Sequence, residues 1–380
     1  MVIAARRTPI ATRGRALSGL AVDALAAPVL AAVMDDARAA SRQDGVGDLP
    51  VGDVVLGNCR GPGGNPARIA ALAAGLGRGV PGATVDRQCG SGLAAVITAA
   101  QAITAGDDRL QLAGGAESAS TAPRRSIDGV PYDRAPFVPA GWPDPGMPQA
   151  AEDLAVAAGI PRSRQDAYAA RSHRRAAAAA GHGAFAGELV PVAGTGTDEL
   201  APRGSSLLPR FTPLFPGGSL TAGNSCRISD GAAAVALVPA GANADGTRRA
   251  PAPGLALRSH AVIGCDPTLP GIGAAPAIEA ALCRAGRSVT DVAAIEVVEA
   301  FAVQALAVLE RLGVDDDDPR VCADGGALAW GHPWGASGAV SVVRLFSRLV
   351  RGGAPAGTLG LAAASVGGGL GVAALFEVVR

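Results

Sequence analysis

Cys89 stands in the run Asp86-Arg87-Gln88-Cys89-Gly90-Ser91-Gly92. Far along the chain, His332 stands in Gly331-His332-Pro333-Trp334-Gly335-Ala336-Ser337-Gly338, and Ser365-Val366-Gly367-Gly368-Gly369 follows. A cysteine that enters a helix through small residues sits where backbone N–H groups converge, which favours the thiolate. Glycines let a substrate carbonyl approach the backbone, and a histidine offers a base. Together these are the parts of thiolate acyl transfer, in which an acyl group rests on sulfur between donor and acceptor.

Such a site needs elements to carry it. β-like runs at Val51 to Leu56, Leu110 to Ala113, Ala232 to Val238, Ile295 to Val298 and Leu359 to Ala363 alternate with alanine-rich helical stretches. The pattern predicts an α/β architecture with buried sheets. Helices are expected over Leu17 to Ala39, Ser91 to Ala105, Arg164 to Ala180, Pro276 to Ala285, Ala302 to Arg311 and Ser337 to Leu349. Ser91-Gly92, an apolar helix and Leu110-Gln-Leu-Ala-Gly-Gly are mirrored by Ser337-Gly338, a similar helix and Leu359-Gly-Leu-Ala-Ala-Ala. The repeat predicts a duplicated fold whose two helices meet at the centre. The proline- and glycine-rich stretch 121–222 reads as an inserted loop domain covering the mouth of that core. The division expected is 1–120, the loop domain 121–222, a return over 223–250, and a second half over 251–380.

Composition narrows the function. The chain has 380 residues, 33 basic and 33 acidic, with no lysine, so no net field favours nucleic acid or a membrane surface. Its six cysteines, Cys59, Cys89, Cys226, Cys265, Cys283 and Cys322, form no CxxC pair. They read as reduced thiols of a cytoplasmic protein without a zinc site. No apolar run reaches membrane-spanning length. Asp315 to Asp318 reads as a solvated acidic turn rather than a cation site, and His173, His182 and His260 as surface or structural residues.

The ordered motifs resemble the thiolase family along essentially the whole chain. Arg6-Arg7-Thr8-Pro9-Ile10 is similar to its opening, and the Cys89 run to its nucleophile signature. Gly114-Gly115-Ala116-Glu117-Ser118, Thr221-Ala222-Gly223-Asn224, Ser229-Asp230-Gly231-Ala232, Glu299-Ala300-Phe301-Ala302, Gly325-Gly326-Ala327, Gly331-His332-Pro333 and Gly367-Gly368-Gly369 complete the series. The resemblance implies a duplicated αβαβα core with a loop domain that binds coenzyme A, and acyl-CoA thioesters as substrates with no metal or redox cofactor. It implies Cys89 as nucleophile, His332 as base, and the N–H groups of Cys89 and Gly367 as an oxyanion hole. Met147, Arg203, Ser225, Cys226, Ala300 and Phe301 become candidates for substrate or CoA contact. A segment between Ser118 and Met147 shorter than the family's tetramer-forming region implies a homodimer.

The departures from the family are chemical. Ser365 stands where the resemblance implies a second catalytic cysteine that moves the α-proton, and a hydroxyl is a far weaker acid than a thiol of pKa about 8.5. Val298 replaces an asparagine that holds an enolate-stabilising water, and losing such a donor typically costs about 10²–10³ in rate. Trp330 and Trp334 flank the histidine as pocket-shaping residues or as space fillers, and Cys322 stands where an asparagine is usual. The expected activity is acyl transfer from acyl-CoA through Cys89, with a second acyl-CoA as acceptor by Claisen condensation or its reverse, thiolysis. An acyl-CoA hydrolase or O- or N-acyltransferase, or a catalytically weak scaffold subunit, are the alternatives.

Overall fold

The computed structural model describes residues 1–43, 50–132, 134–200, 205–242, 248–249 and 252–380. Helix Ser91–Thr104 is apolar and buried from Ser91 to Ile97 and at Ala99 and Ala100, and helix Trp334–Leu345 is buried at every residue after Trp334. A helix apolar all round must lie between two other layers, and these two do. The first packs on strands Val51–Gly57 and Leu110–Glu117, the second on Ser229–Leu237, Leu110–Glu117 and Leu359–Val366, and both on each other.

Ten strands form one large sheet folded around this helical layer, its halves joined at the antiparallel pair Val2–Leu255, and two short hairpin pairs stand apart from it. One half holds Val2–Arg7, Ser229–Leu237, Leu110–Glu117, Val51–Gly57 and the edge strand Ala83–Val85. The other holds Gly254–Gly264, Leu370–Val379, Leu359–Val366 and Val292–Val297. Helix Val22–Gln43 covers the outer face of the first half, and Ala274–Arg284 that of the second. The layers are therefore helix, sheet, helix, sheet, helix, the αβαβα arrangement that the resemblance implies. The two central helices cross at glycine. A β-carbon on Gly92 would lie 2.8 Å from the Ala339 nitrogen, and one on Gly338 would lie 2.6 Å from the Leu93 nitrogen.

Helices Met147–Ala157 and Arg162–Gly181 dominate the inserted region. Glu152 anchors it by accepting hydrogen bonds from the backbone of Ser219 and Leu220. Two carboxylates of the Asp315–Asp318 turn pair with arginine: Arg164 bridges Asp316 and Arg320 bridges Asp318. The first long helix begins at Val22 rather than Leu17, because hydrogen-bonded turns, with Gly14 at φ 80°, occupy the preceding residues. The Arg-Thr-Pro opening is structural. The guanidinium of Arg7, fully buried, pairs with Glu188 at 2.7 Å and Asp198 at 2.6 Å, and Arg344 closes the network onto Glu188. No helix among the described residues is long and apolar enough to cross a membrane.

Candidate active site

Cys89 sits on a single 3₁₀ turn, Gln88–Gly90, at the entry of helix Ser91–Thr104. Gln88 takes the left-handed conformation, φ 46°. That conformation is strained for a residue with a side chain, by about 1–3 kcal/mol, and persists only where its surroundings hold it. Three bonds do so: Gln88 N–H donates to Asp86 at 2.9 Å, Arg87 N–H donates to Ser91 Oγ at 2.7 Å, and Ser91 donates to the Gln88 carbonyl at 2.7 Å. The turn packs against the histidine's helix and against strand Leu359–Val366, so residues remote in sequence share one floor.

At that floor the backbone N–H groups of Cys89 and Gly367 favour the Cys89 thiolate. Burial outweighs them, and with the nearby negative charge of Glu117 it pushes the thiol up to about 12. The resting nucleophile is therefore a thiol. Glu117, fully buried and raised by desolvation, accepts N–H bonds from Cys59, Arg60 and Gly335. It thereby ties the loop beside the nucleophile to the first turn of the histidine's helix.

His332 is 2 % exposed. Its N–H donates to the Arg227 carbonyl at 2.8 Å, and its Nδ1 lies 2.6 Å from Ser337 Oγ, which donates its own proton to the Pro333 carbonyl at 3.0 Å. With that proton committed, Ser337 accepts from Nδ1–H, and the hydrogen-bond pattern assigns the lone pair to Nε2. Nε2 is buried and has no partner. Desolvation holds the imidazole down to about 4, so it is neutral at physiological pH and able to accept a proton.

The segment Ser225–Ile228 lies between the Val298–Phe301 loop and the histidine. Ser225 bridges Phe301, Cys226 N–H donates to the Ala300 carbonyl at 2.9 Å, and Ile228 bridges His332. Ser225 gives its hydroxyl to the Thr221 carbonyl. Burial raises the Cys226 thiol. Met147 opens helix Met147–Ala157, its sulfur 3.4 Å from where a β-carbon on Gly367 would stand. Arg203 lies outside the described residues.

Ser365 does not present a free hydroxyl. It donates to the Gly271 carbonyl at 2.6 Å and accepts from the Ala274 N–H at 3.0 Å. Val298 is buried and borders a small cavity of about 20 Å³ shared with Ser337 and Trp330. Trp330 turns into the core, edge-on to Phe185 at 5.6 Å with the Arg7 guanidinium 5.7 Å from its ring, while Trp334 lies beneath the guanidinium of Arg60 at 5.8 Å. Adjacency to His332 in sequence gave no direction, because Trp330 ends a separate short helical turn, Ala327–Trp330. Cys322, buried, points its thiol to the Val297 carbonyl.

Two residues of the site carry no distinct sequence signal. Ser337 lies within the histidine motif but reads there only as a small helix residue. Phe137, in a proline-rich loop, has its ring against Gly367.

The folded, layered core and this meeting of thiol, imidazole and glycine turn define a class. Residues 1–241 match the family description "Thiolase, N-terminal domain" and residues 252–378 "Thiolase, C-terminal domain". The chain belongs to the thiolase family. It is 39% identical over 398 residues to a putative acetyl-CoA C-acetyltransferase, VraB, of Staphylococcus haemolyticus, covering 100% of this chain and 99% of that one. An acetyl-CoA acetyltransferase of Chromobacterium violaceum is 38% identical over 406 residues, covering 99% and 98%. Among solved structures, the Bacillus anthracis acetyl-CoA acetyltransferase superposes with a TM-score of 0.86 at 33% identity, covering 100% of this chain and 98% of that one. Human mitochondrial 3-ketoacyl-CoA thiolase does so with 0.83 at 31%, with the same coverage.

Proposed function

We propose that this thiolase-type acyltransferase moves an acyl group from an acyl-CoA thioester onto Cys89 and then to the α-carbon of a second acyl-CoA, or runs the reverse thiolysis. The observation that carries the reading is the packing of the Cys89 turn against strand Leu359–Val366, which leads into Gly367, and against the helix that follows His332, whose buried Nε2 has no partner. His332 Nε2 takes the Cys89 proton, and the thiolate attacks the thioester carbonyl. The oxyanion of the tetrahedral intermediate is held between the N–H groups of Cys89 and Gly367, where each such donor contributes about 10²–10³ in rate. Collapse expels the CoA thiolate, which recovers the proton from His332 and leaves acyl-Cys89. Because the Ser365 hydroxyl is committed to Gly271 and Ala274, the α-proton of the second thioester falls to His332 or to bound water.

Thiol, imidazole and backbone suffice for these steps, so we assign no cofactor beyond the CoA thioesters, and a cytoplasmic setting suits the free thiols. A homodimer is supported by the edge strand Ala83–Val85, largely exposed and paired on one side only, directly before the nucleophile loop. Intact-protein mass spectrometry after mixing with acetyl-CoA tests the core of the reading. An acetyl adduct lost in Cys89→Ala supports it, and an adduct that persists in the mutant refutes it.

A further inference from the structure

The loop over 134–144 is built to hold one ring in place. The Arg134 guanidinium donates to the Asp144 carboxylate at 2.8 Å and to the Asp144 carbonyl at 3.0 Å, and Phe137 N–H donates to the other carboxylate oxygen at 3.1 Å. The same guanidinium stands 4.5 Å from the Phe137 ring centre, an added cation–π attraction. So clamped, the ring edge meets the glycine turn. A β-carbon on Gly367 would lie 2.7 Å and 3.1 Å from two Phe137 ring carbons, and one on Gly368 would lie 3.2 Å from the Phe137 β-carbon.

Gly367 follows strand Leu359–Val366, which packs on the Cys89 turn, where a β-carbon on Gly90 would lie 2.9 Å from a Val366 side-chain carbon. An acyl group on Cys89, its oxygen between the two N–H groups, therefore has the Phe137 ring and the Met147 thioether on one side. That side is hydrocarbon and sulfur. The side formed by Ser225, Cys226 and Ala300 is the more polar one: the Ser225 hydroxyl donates to the Thr221 carbonyl and keeps its oxygen as an acceptor, suited to the amide-bearing arm of coenzyme A. Apolar tail and polar arm thus have separate walls.

Resting on the acyl-Cys89 reading, we propose that Phe137 is a specificity-determining residue whose clamped ring closes the acyl pocket and limits the enzyme to short acyl chains. A hydrocarbon pocket distinguishes a single methylene by about 10–200-fold, so a fixed ring at its end discriminates steeply.

Single-turnover acylation of Cys89 by acetyl-, butanoyl- and octanoyl-CoA, read by intact-protein mass, tests this in wild type, Phe137→Ala, Phe137→Leu and Asp144→Ala. The octanoyl-to-acetyl rate ratio is expected to rise about 10-fold or more in Phe137→Ala. It should rise less in Phe137→Leu, and in the same direction in Asp144→Ala, where the ring is released. Phe137→Leu keeps an apolar side chain and decides the question if Phe137→Ala does not fold. Adducts on Cys89 with an unchanged ratio overturn the assignment of Phe137 and leave the acyltransferase reading standing. No adduct on Cys89 in wild type with any of the three thioesters overturns both.

Discussion

Ser337 Oγ lies 2.6 Å from Nδ1 of His332 and passes its own proton to the Pro333 carbonyl, so one hydroxyl fixes both the tautomer and the tilt of the base. Ser337→Ala should leave Nδ1 without a partner in a buried site, a loss of about 1–3 kcal/mol. The population of the productive tautomer falls with it. Single-turnover acylation of Cys89 should slow by about 10–10²-fold, while Ser337→Thr, which keeps the hydroxyl, recovers most of the rate. Equal rates in the alanine variant and wild type would show that the tautomer is set elsewhere.

The neutral, buried state of His332 makes stability depend on pH in a defined window. In the unfolded chain the imidazole takes a proton near 6.5, whereas in the fold it does so only near 4. Between these values the unfolded state binds the extra proton, so stability is intact above pH 6.5 and falls as pH drops toward 4. The slope is at most about 1.4 kcal/mol per pH unit. Urea denaturation from pH 7 to 4.5 should show a shallower acid limb for His332→Asn than for wild type. Identical limbs would contradict the assignment.

Ser365→Cys with Val298→Asn tests the condensation step. The double variant should condense or thiolyse about 10-fold or more faster than wild type, with a smaller effect on acylation of Cys89. Proton transfer and enolate stabilisation act on one transition state, so the two changes need not add independently. Losing the Ser365 hydroxyl's bonds to Gly271 and Ala274 should lower stability by about 1 kcal/mol, visible as a lower urea midpoint. A wild-type condensation rate that the double variant does not exceed would leave His332 or an ordered water as the α-proton carrier.

The duplicated layers were legible because each half spells its helix and strand locally: Ser91-Gly92 and Ser337-Gly338 announce the small-residue entries that allow the two backbones to touch. Cys89, His332 and Gly367 stand in signatures of their own. Phe137 was not legible, because its role arises from a contact with Gly367 across the fold and its proline-rich loop has no periodicity. Helix Met147–Ala157 was missed for a related reason: its proline second residue and preceding Pro143 and Pro145 read as loop. Trp330 shows the converse, a neighbour of His332 in sequence that faces the Arg7 core.

The crossing of the two central helices at Gly92 and Gly338 has a consequence for how this enzyme comes into being. The nucleophile belongs to one half of the chain and the base to the other, and the donor at Gly367 arrives last in synthesis. Neither half alone holds a reactive centre. A nascent or misfolded chain therefore carries Cys89 as an ordinary thiol, and chemical competence appears only when the two halves have closed on each other at these glycines.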